Sequence, residues 1–169
     1  MIKYLLFGII FIAAAIGILT YVRSPGEGAS PVATLATSTA PGTRTYRNTK
    51  YGFEFRYPED WKFEENTFYG PFSKFNLVGS PAIGGHLPDP IVINIVTPDF
   101  AEHAFSGFEK TTSSATVAGV RGVQYEYQYE GLPEVAIVLP FGQYRMLLGV
   151  KKQYENVFHQ ILASLKFLK

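Results

Sequence analysis

The stretch "YGFEFRYPEDW", residues 51–61, alternates aromatic and polar side chains before Pro58, Glu59 and Asp60 interrupt it and Trp61 resumes the apolar pattern. A period of two is the signature of a strand with one covered face, here carrying Phe53, Phe55 and Tyr57. The aromatics could stack on a ligand, or they could anchor the first strands in a core. The shared face favours anchoring, because rings of this size dominate core packing. Glu59 and Asp60, with Glu64 and Glu65 beyond them, offer oxygen ligands. They lack the spaced Asp/Asn and Gly pattern of a dedicated calcium loop and read as a solvated acidic turn.

Upstream, Tyr46 to Asn48 faces this strand across the turn "NTKYG", which predicts an antiparallel pair. Downstream, "WKFEE" (61–65), "KFNLVG" (74–79) and the β-branched "IVINIVT" (91–97) predict three further strands. "GSPAIGG" (79–85) lacks the Lys and following helix of a phosphate loop and reads as a connecting loop. Between Asp99 and Lys110 the period becomes helical, with Phe100, Ala101, Ala104, Phe105 and Phe108 on one stripe and Asp99 as the expected N-cap.

"RGVQYEYQY" (121–129) then alternates again, Val123, Tyr125, Tyr127 and Tyr129 opposing Gln124, Glu126 and Gln128. "EVAIVLPF" and "YRMLLGV" predict a central hairpin about Gly142-Gln143. Val157, Phe158, Ile161, Leu162 and Leu165 mark a C-terminal amphipathic helix. Grouped strands with two inserted helices give an α+β class: an antiparallel β-sheet covered by helices.

The chain of 169 residues is long enough for one such domain with additional segments. Residues 4–22, "YLLFGIIFIAAAIGILTYV", carry no charge, and at about 1.5 Å per residue they span a hydrocarbon core near 30 Å. Tyr4 and Tyr21 sit where interfacial aromatics are expected, and Lys3 and Arg23 flank the run. The competing reading, a cleaved signal peptide, has an apolar region of about 7 to 15 residues, shorter than this one. Residues 24–44 are built largely from Ser, Thr, Ala, Gly and Pro, a spacer composition. The expected organisation is therefore an N-terminal transmembrane anchor at 1–23, a flexible linker at 24–44, and an α+β domain at 45–169 held outside the cytoplasm. The lipid bilayer is the expected partner of residues 4–22.

Fifteen basic and 14 acidic residues nearly cancel, and no basic run exceeds Lys151-Lys152, so nucleic acid is not an expected partner. The lack of Cys excludes disulfides, thiolate catalysis and lipid attachment at a cysteine. His86, His103 and His159 are scattered without zinc-ligand spacing. Asp99 and His103 are four apart and read as a surface pair rather than a catalytic dyad. No nucleophile elbow, zincin, P-loop or dinucleotide fingerprint occurs. These readings predict no catalytic residue, no metal and no cofactor.

Tyr51-Gly52-Phe53, Tyr57-Pro58 and Trp61, with "VAGVRGVQYEY" (117–127) and "FHQILASLKF" (158–167), resemble the PsbP-like family, named for an extrinsic subunit of photosynthetic water oxidation. The resemblance covers most of 45–169 and implies an α/β/α sandwich. It also implies a small noncatalytic extracytoplasmic protein that binds or helps assemble a larger complex. The N-terminal span departs from the plant lumenal members, so photosynthesis is not carried over, and no metal or partner-contact residue of those members matches a position here.

Two functions follow as expectations. The first is a membrane-anchored binding or assembly-factor domain acting through contacts with a protein at the membrane. The second is a small-ligand or metal-ion binder using the acidic turn or the aromatic sheet face. Tyr125, Tyr127 and Tyr129 form the candidate partner or ligand surface, with burial under a covering helix as the alternative for the same ladder.

Overall fold

Two antiparallel sheets hold the structure, a computed structural model that describes residues 42–66, 71–82 and 89–168. These lie within one unit, Ser38–Lys169. The expected span at 4–22 and almost all of the spacer fall outside the described residues. Among the described residues no helix is long and apolar enough to cross a membrane.

The opening pair forms as its alternation predicts: β1 (Thr43–Asn48) runs against β2 (Phe53–Pro58), with Asn48 opposite Phe53. β3 (Trp61–Glu65), β4 (Ser73–Pro81) and β5 (Ile91–Val96) follow. Gly79 to Pro81, expected at the start of a loop, instead extend β4, because Gly79 and Trp61-paired Pro81 complete the ladder with β3. After the short helix α1 (Pro98–His103) come β6 (Lys110–Val117), β7 (Val120–Tyr129), β8 (Leu132–Phe141) and β9 (Tyr144–Lys151). A 3-10 turn (Lys152–Tyr154), α2 (Glu155–Ser164) and β10 (Lys166–Phe167) end the chain.

The larger sheet has the order β3-β4-β5-β9-β8-β7-β6, and the smaller has the order β1-β2-β10. The central hairpin expected about Gly142-Gln143 is β8 and β9. The helical coverage is less than the sequence suggests. One face of the large sheet carries α2 together with the small sheet, whose Phe53 and Phe55 are fully buried against Phe75, Leu77, Ile93, Leu148, Phe158 and Ile161. Among the described residues, the other carries α1 and the turn behind it. Phe158 and Ile161 belong to the stripe read as the C-terminal helix, and Ser164 Oγ fastens its end by accepting the Arg56 amide at 2.9 Å.

The helical period from Asp99 to Lys110 yields only α1, whose cap is Thr97 rather than Asp99. The Thr97 hydroxyl accepts from Phe100 N at 3.4 Å, and Pro98 takes the first turn, where no amide is needed. Ala104, Phe105 and Phe108 lie beyond the helix in a turn.

The strand β6 is absent from the sequence reading: "KTTSSATV" has no apolar alternation, and it holds its place through an unbroken register with β7. Two residues, Ala118 and Gly119, close that hairpin at φ 50° and 78°. Positive φ at both positions is the type I′ pattern, which favours Asn-Gly. An alanine there bears a left-handed penalty of about 1–2 kcal/mol. Ala118→Asn is therefore expected to raise the unfolding free energy by about 1 kcal/mol. An unchanged or lowered urea midpoint would count against this turn geometry.

Candidate functional site

Register places the tyrosine ladder over a shallow seat. Val92, Gly149, Ala136 and Tyr125 lie opposite one another across four strands, where Gly149 bears no side chain and Ala136 only a methyl. Val92 and Leu147 close over Gly149, and Phe105 packs against Ala136 and Leu147. Its ring stacks on Tyr125 with centroids 4.4 Å apart and lies 5.2 Å from Tyr127. Phe108 continues the cover, 5.3 Å from Tyr127 and 5.9 Å from Tyr129. Lys110 Nζ donates to the Phe105 carbonyl at 2.7 Å and holds the turn down. The three tyrosines thus share a face, as their alternation requires, and are half-buried beneath two phenylalanines. Val123 on the same face stays 41% exposed, and Leu132, paired with Tyr129, is 51% exposed. The ladder is part packing and part surface.

At its foot, Tyr127 donates its hydroxyl to Glu134 Oε2 at 2.9 Å. Burial, reinforced by the Glu134 charge, pushes the Tyr127 phenol above its ordinary range. Burial also raises the Glu134 carboxyl, opposed by the Tyr127 hydrogen bond and by the charge of Lys151. A raised carboxyl pKa in the folded state means that protonation favours folding. The contribution is complete below the unfolded value and is lost as pH rises through the raised folded value. Glu134→Gln keeps an acceptor for Tyr127 and removes that loss. The variant is expected to show a higher urea midpoint than the parent at pH 7, the gap closing as pH falls below about 4. A gap that widens on acidification would refute it.

A cleft of about 470 Å³ lies between the β1–β2 turn and the corner where β3 ends and β4 begins. Its walls are braced by hydrogen bonds. Asn48, only 8% exposed, gives Nδ2 to the Tyr46 hydroxyl at 3.1 Å and accepts Tyr51 N at 2.9 Å. Tyr46 donates its own hydroxyl to Glu65 Oε1 at 2.7 Å, and burial raises its phenol pKa. Tyr51 packs on Phe75, 5.2 Å between centroids, and donates to the Lys74 carbonyl at 2.6 Å. Gly52, at φ 72°, turns the chain into β2. Among the described residues, the charged groups bordering this space are Arg47, Lys50, Lys74 and Glu65. Sequence reading found the turn "NTKYG" but not the cleft, since the opposing wall comes from residues more than 15 positions away.

The other candidate groups do not converge. Glu59, Asp60, Glu64 and Glu65 are exposed, with Glu64 3.3 Å from Lys62. His103 and Asp99 form an exposed pair on α1, Nδ1 donating to the Asp99 carbonyl at 2.8 Å and lying 3.7 Å from its carboxylate. His159 pairs with Glu155 in the same way on α2, at 3.7 Å. His86 lies outside the described residues. Among the described residues no three His, Asp or Glu side chains gather as a metal site would require.

No protein-family model matches the chain, and no curated protein matches it. Several solved structures do. The solution structure of cyanobacterial PsbP (CyanoP) from Synechocystis sp. PCC 6803 has a TM-score of 0.47 and 13% identity, covering 82% of this chain and 99% of that one. LpqN of Mycobacterium tuberculosis, involved in cell envelope biogenesis, has a TM-score of 0.45 and 15% identity, covering 76% of this chain and 91% of its own. PA94, a Pseudomonas aeruginosa protein of unknown function, has a TM-score of 0.33 and 14% identity, covering 72% and 94%. A PsbP-type protein is thus among the structures this chain is similar to, as its motifs led one to expect.

Proposed function

We propose that the chain is a membrane-tethered, extracytoplasmic and noncatalytic binding domain that accepts an extended segment of another protein along β6. Residues 4–22 supply the anchor and 24–44 the reach. The observation that carries the reading is the contrast between the two edges of the large sheet. β3, at one edge, is short and carries Lys62, Glu64 and Glu65, charges that discourage strand addition. β6, at the other, runs for 8 residues with no charge beyond Lys110, no proline and no break in register, and nearly all of it is exposed.

The two-residue turn makes Val117 and Val120 a hydrogen-bonded pair, so the amides of Thr116, Ser114 and Thr112 point away from β7. That row of donors and the intervening carbonyls form a ladder for one more strand. Val123 on the neighbouring β7, opposite Ser114 and 41% exposed, offers apolar area for the partner's side chains.

A photo-crosslinking residue at Ser114 of the full chain in native membranes, compared with one at Lys62, tests the reading. The expected result is a discrete heterologous adduct from position 114 alone, abolished by Thr112→Pro while the melting curve is retained. Proline at 112 removes an outward donor and is tolerated at an edge. Equal adducts from both positions, none from either, or an adduct of two copies of this chain would overturn it.

A further inference from the structure

The cleft at the β1–β2 turn has features that strand capture does not use. Its polar walls are fixed before any ligand arrives: Asn48 locks the turn, the Tyr46 hydroxyl ties it to Glu65 on β3, and the Tyr51 hydroxyl ties it to the start of β4. Pre-set walls spare a ligand the cost of ordering them. The charges are lopsided. Lys50 and Lys74 line the space with Glu65, the one carboxylate of its lining among the described residues, whose Oε1 already accepts a hydrogen bond from Tyr46. Arg47, at the rim, is 3.6 Å from Glu54 through Nε, and its side chain is 61% exposed. Lys50 lies 5.2 Å over the Tyr51 ring, and Lys74 has no ion-pair partner among the described residues.

We propose that this cleft binds a small phosphomonoester. With Arg47 paired to Glu54, Lys50 and Lys74 stand against Glu65 and leave an excess of one positive charge; a phosphomonoester carries about two negative charges near neutral pH, where a carboxylate carries one, and so gains more from the two ammonium groups. Lysine ammonium groups act as point charges on phosphate. The volume of about 470 Å³ exceeds a bare phosphate and suits a ligand with an organic body, for which Tyr51 and Phe75 form the apolar part of the lining. The same chemistry is presented by a soluble ester and by the headgroup of phosphatidic acid.

The test uses the full chain in a neutral detergent, titrated with phenyl phosphate and followed by amide chemical shifts. The expected result is a saturable shift confined to the β1–β2 turn and the start of β4. Benzoate should bind at least about tenfold more weakly, and Lys50→Gln/Lys74→Gln should weaken phenyl phosphate by at least about tenfold. Lys62→Gln/Lys152→Gln, at exposed lysines paired elsewhere with Glu64 and Glu126, should leave the affinity unchanged. In a second arm, the chain in neutral nanodiscs is mixed with vesicles containing phosphatidic acid. Competition by those vesicles at lower total phosphate than phenyl phosphate assigns the lipid source, and its absence assigns the soluble one. Non-saturable shifts, shifts spread over the surface, or equal response to benzoate would overturn the proposal. The strand-capture reading stands or falls separately, since Thr112→Pro leaves this cleft untouched.

Discussion

Phe55→Ala is expected to lower the unfolding free energy by about 3–5 kcal/mol, enough to leave a domain of ordinary stability partly unfolded at 37 °C. Phe55 is fully buried and lies where the small sheet meets the large one. Its ring stacks on Tyr46 at 5.3 Å, meets Phe63 edge-on at 5.1 Å and neighbours Tyr57 at 6.1 Å. Truncation removes the transfer energy of the ring and leaves a cavity whose walls belong to two sheets. Those walls are tied by backbone ladders and collapse poorly. Urea denaturation followed by tyrosine and tryptophan fluorescence measures the loss, and a change below about 1 kcal/mol would show that the sheets do not depend on this contact.

The second large effect has the opposite sign. Asn76 and Asn94 face each other across β4 and β5, and Asn76 is 2% exposed. Among the described residues neither Nδ2 nor Oδ1 of Asn76 has a hydrogen-bond partner, and Asn94 Oδ1 is buried in the same condition. An unpaired buried polar group costs about 1–3 kcal/mol. Asn76→Val removes two such atoms and places a β-branched side chain in a strand, where it suits the pleat. The variant is expected to gain about 1–3 kcal/mol, read as a higher urea midpoint at unchanged slope. A loss would mean that the carboxamide makes a bond that valine cannot replace.

Both effects depend on partners that lie far apart along the chain, and they mark the boundary between what local pattern encodes and what it does not. The alternation of Phe53, Phe55 and Tyr57 places these rings on one face wherever the strand goes. The pattern alone does not say that β2 leaves the main sheet to pair with β1 and β10. Likewise the spacing of Tyr125, Tyr127 and Tyr129 fixes their common face, whereas their half-burial is set by Phe105 and Phe108 arriving from a turn that the helical period overextends. Asp99 looked like a cap because it precedes the stripe, yet Thr97 before Pro98 had the same chemistry in the position that mattered.

The strand β6 went unread for the reverse reason: Thr and Ser bury nothing, so their place is set by the neighbouring strand through backbone hydrogen bonds. The cleft was equally hidden, being a gap between Asn48, Tyr51, Glu65 and Lys74 that exists only after two sheets dock. Sequence by itself determined the strands with one apolar face, the β8–β9 hairpin turn and the α2 stripe, because side-chain direction along a strand or helix repeats at a fixed short period. Tertiary structure alone decided which strands are edges, how far the tyrosines are covered and where charge gathers around an opening. Those depend on the pairing of distant segments, which no local period records.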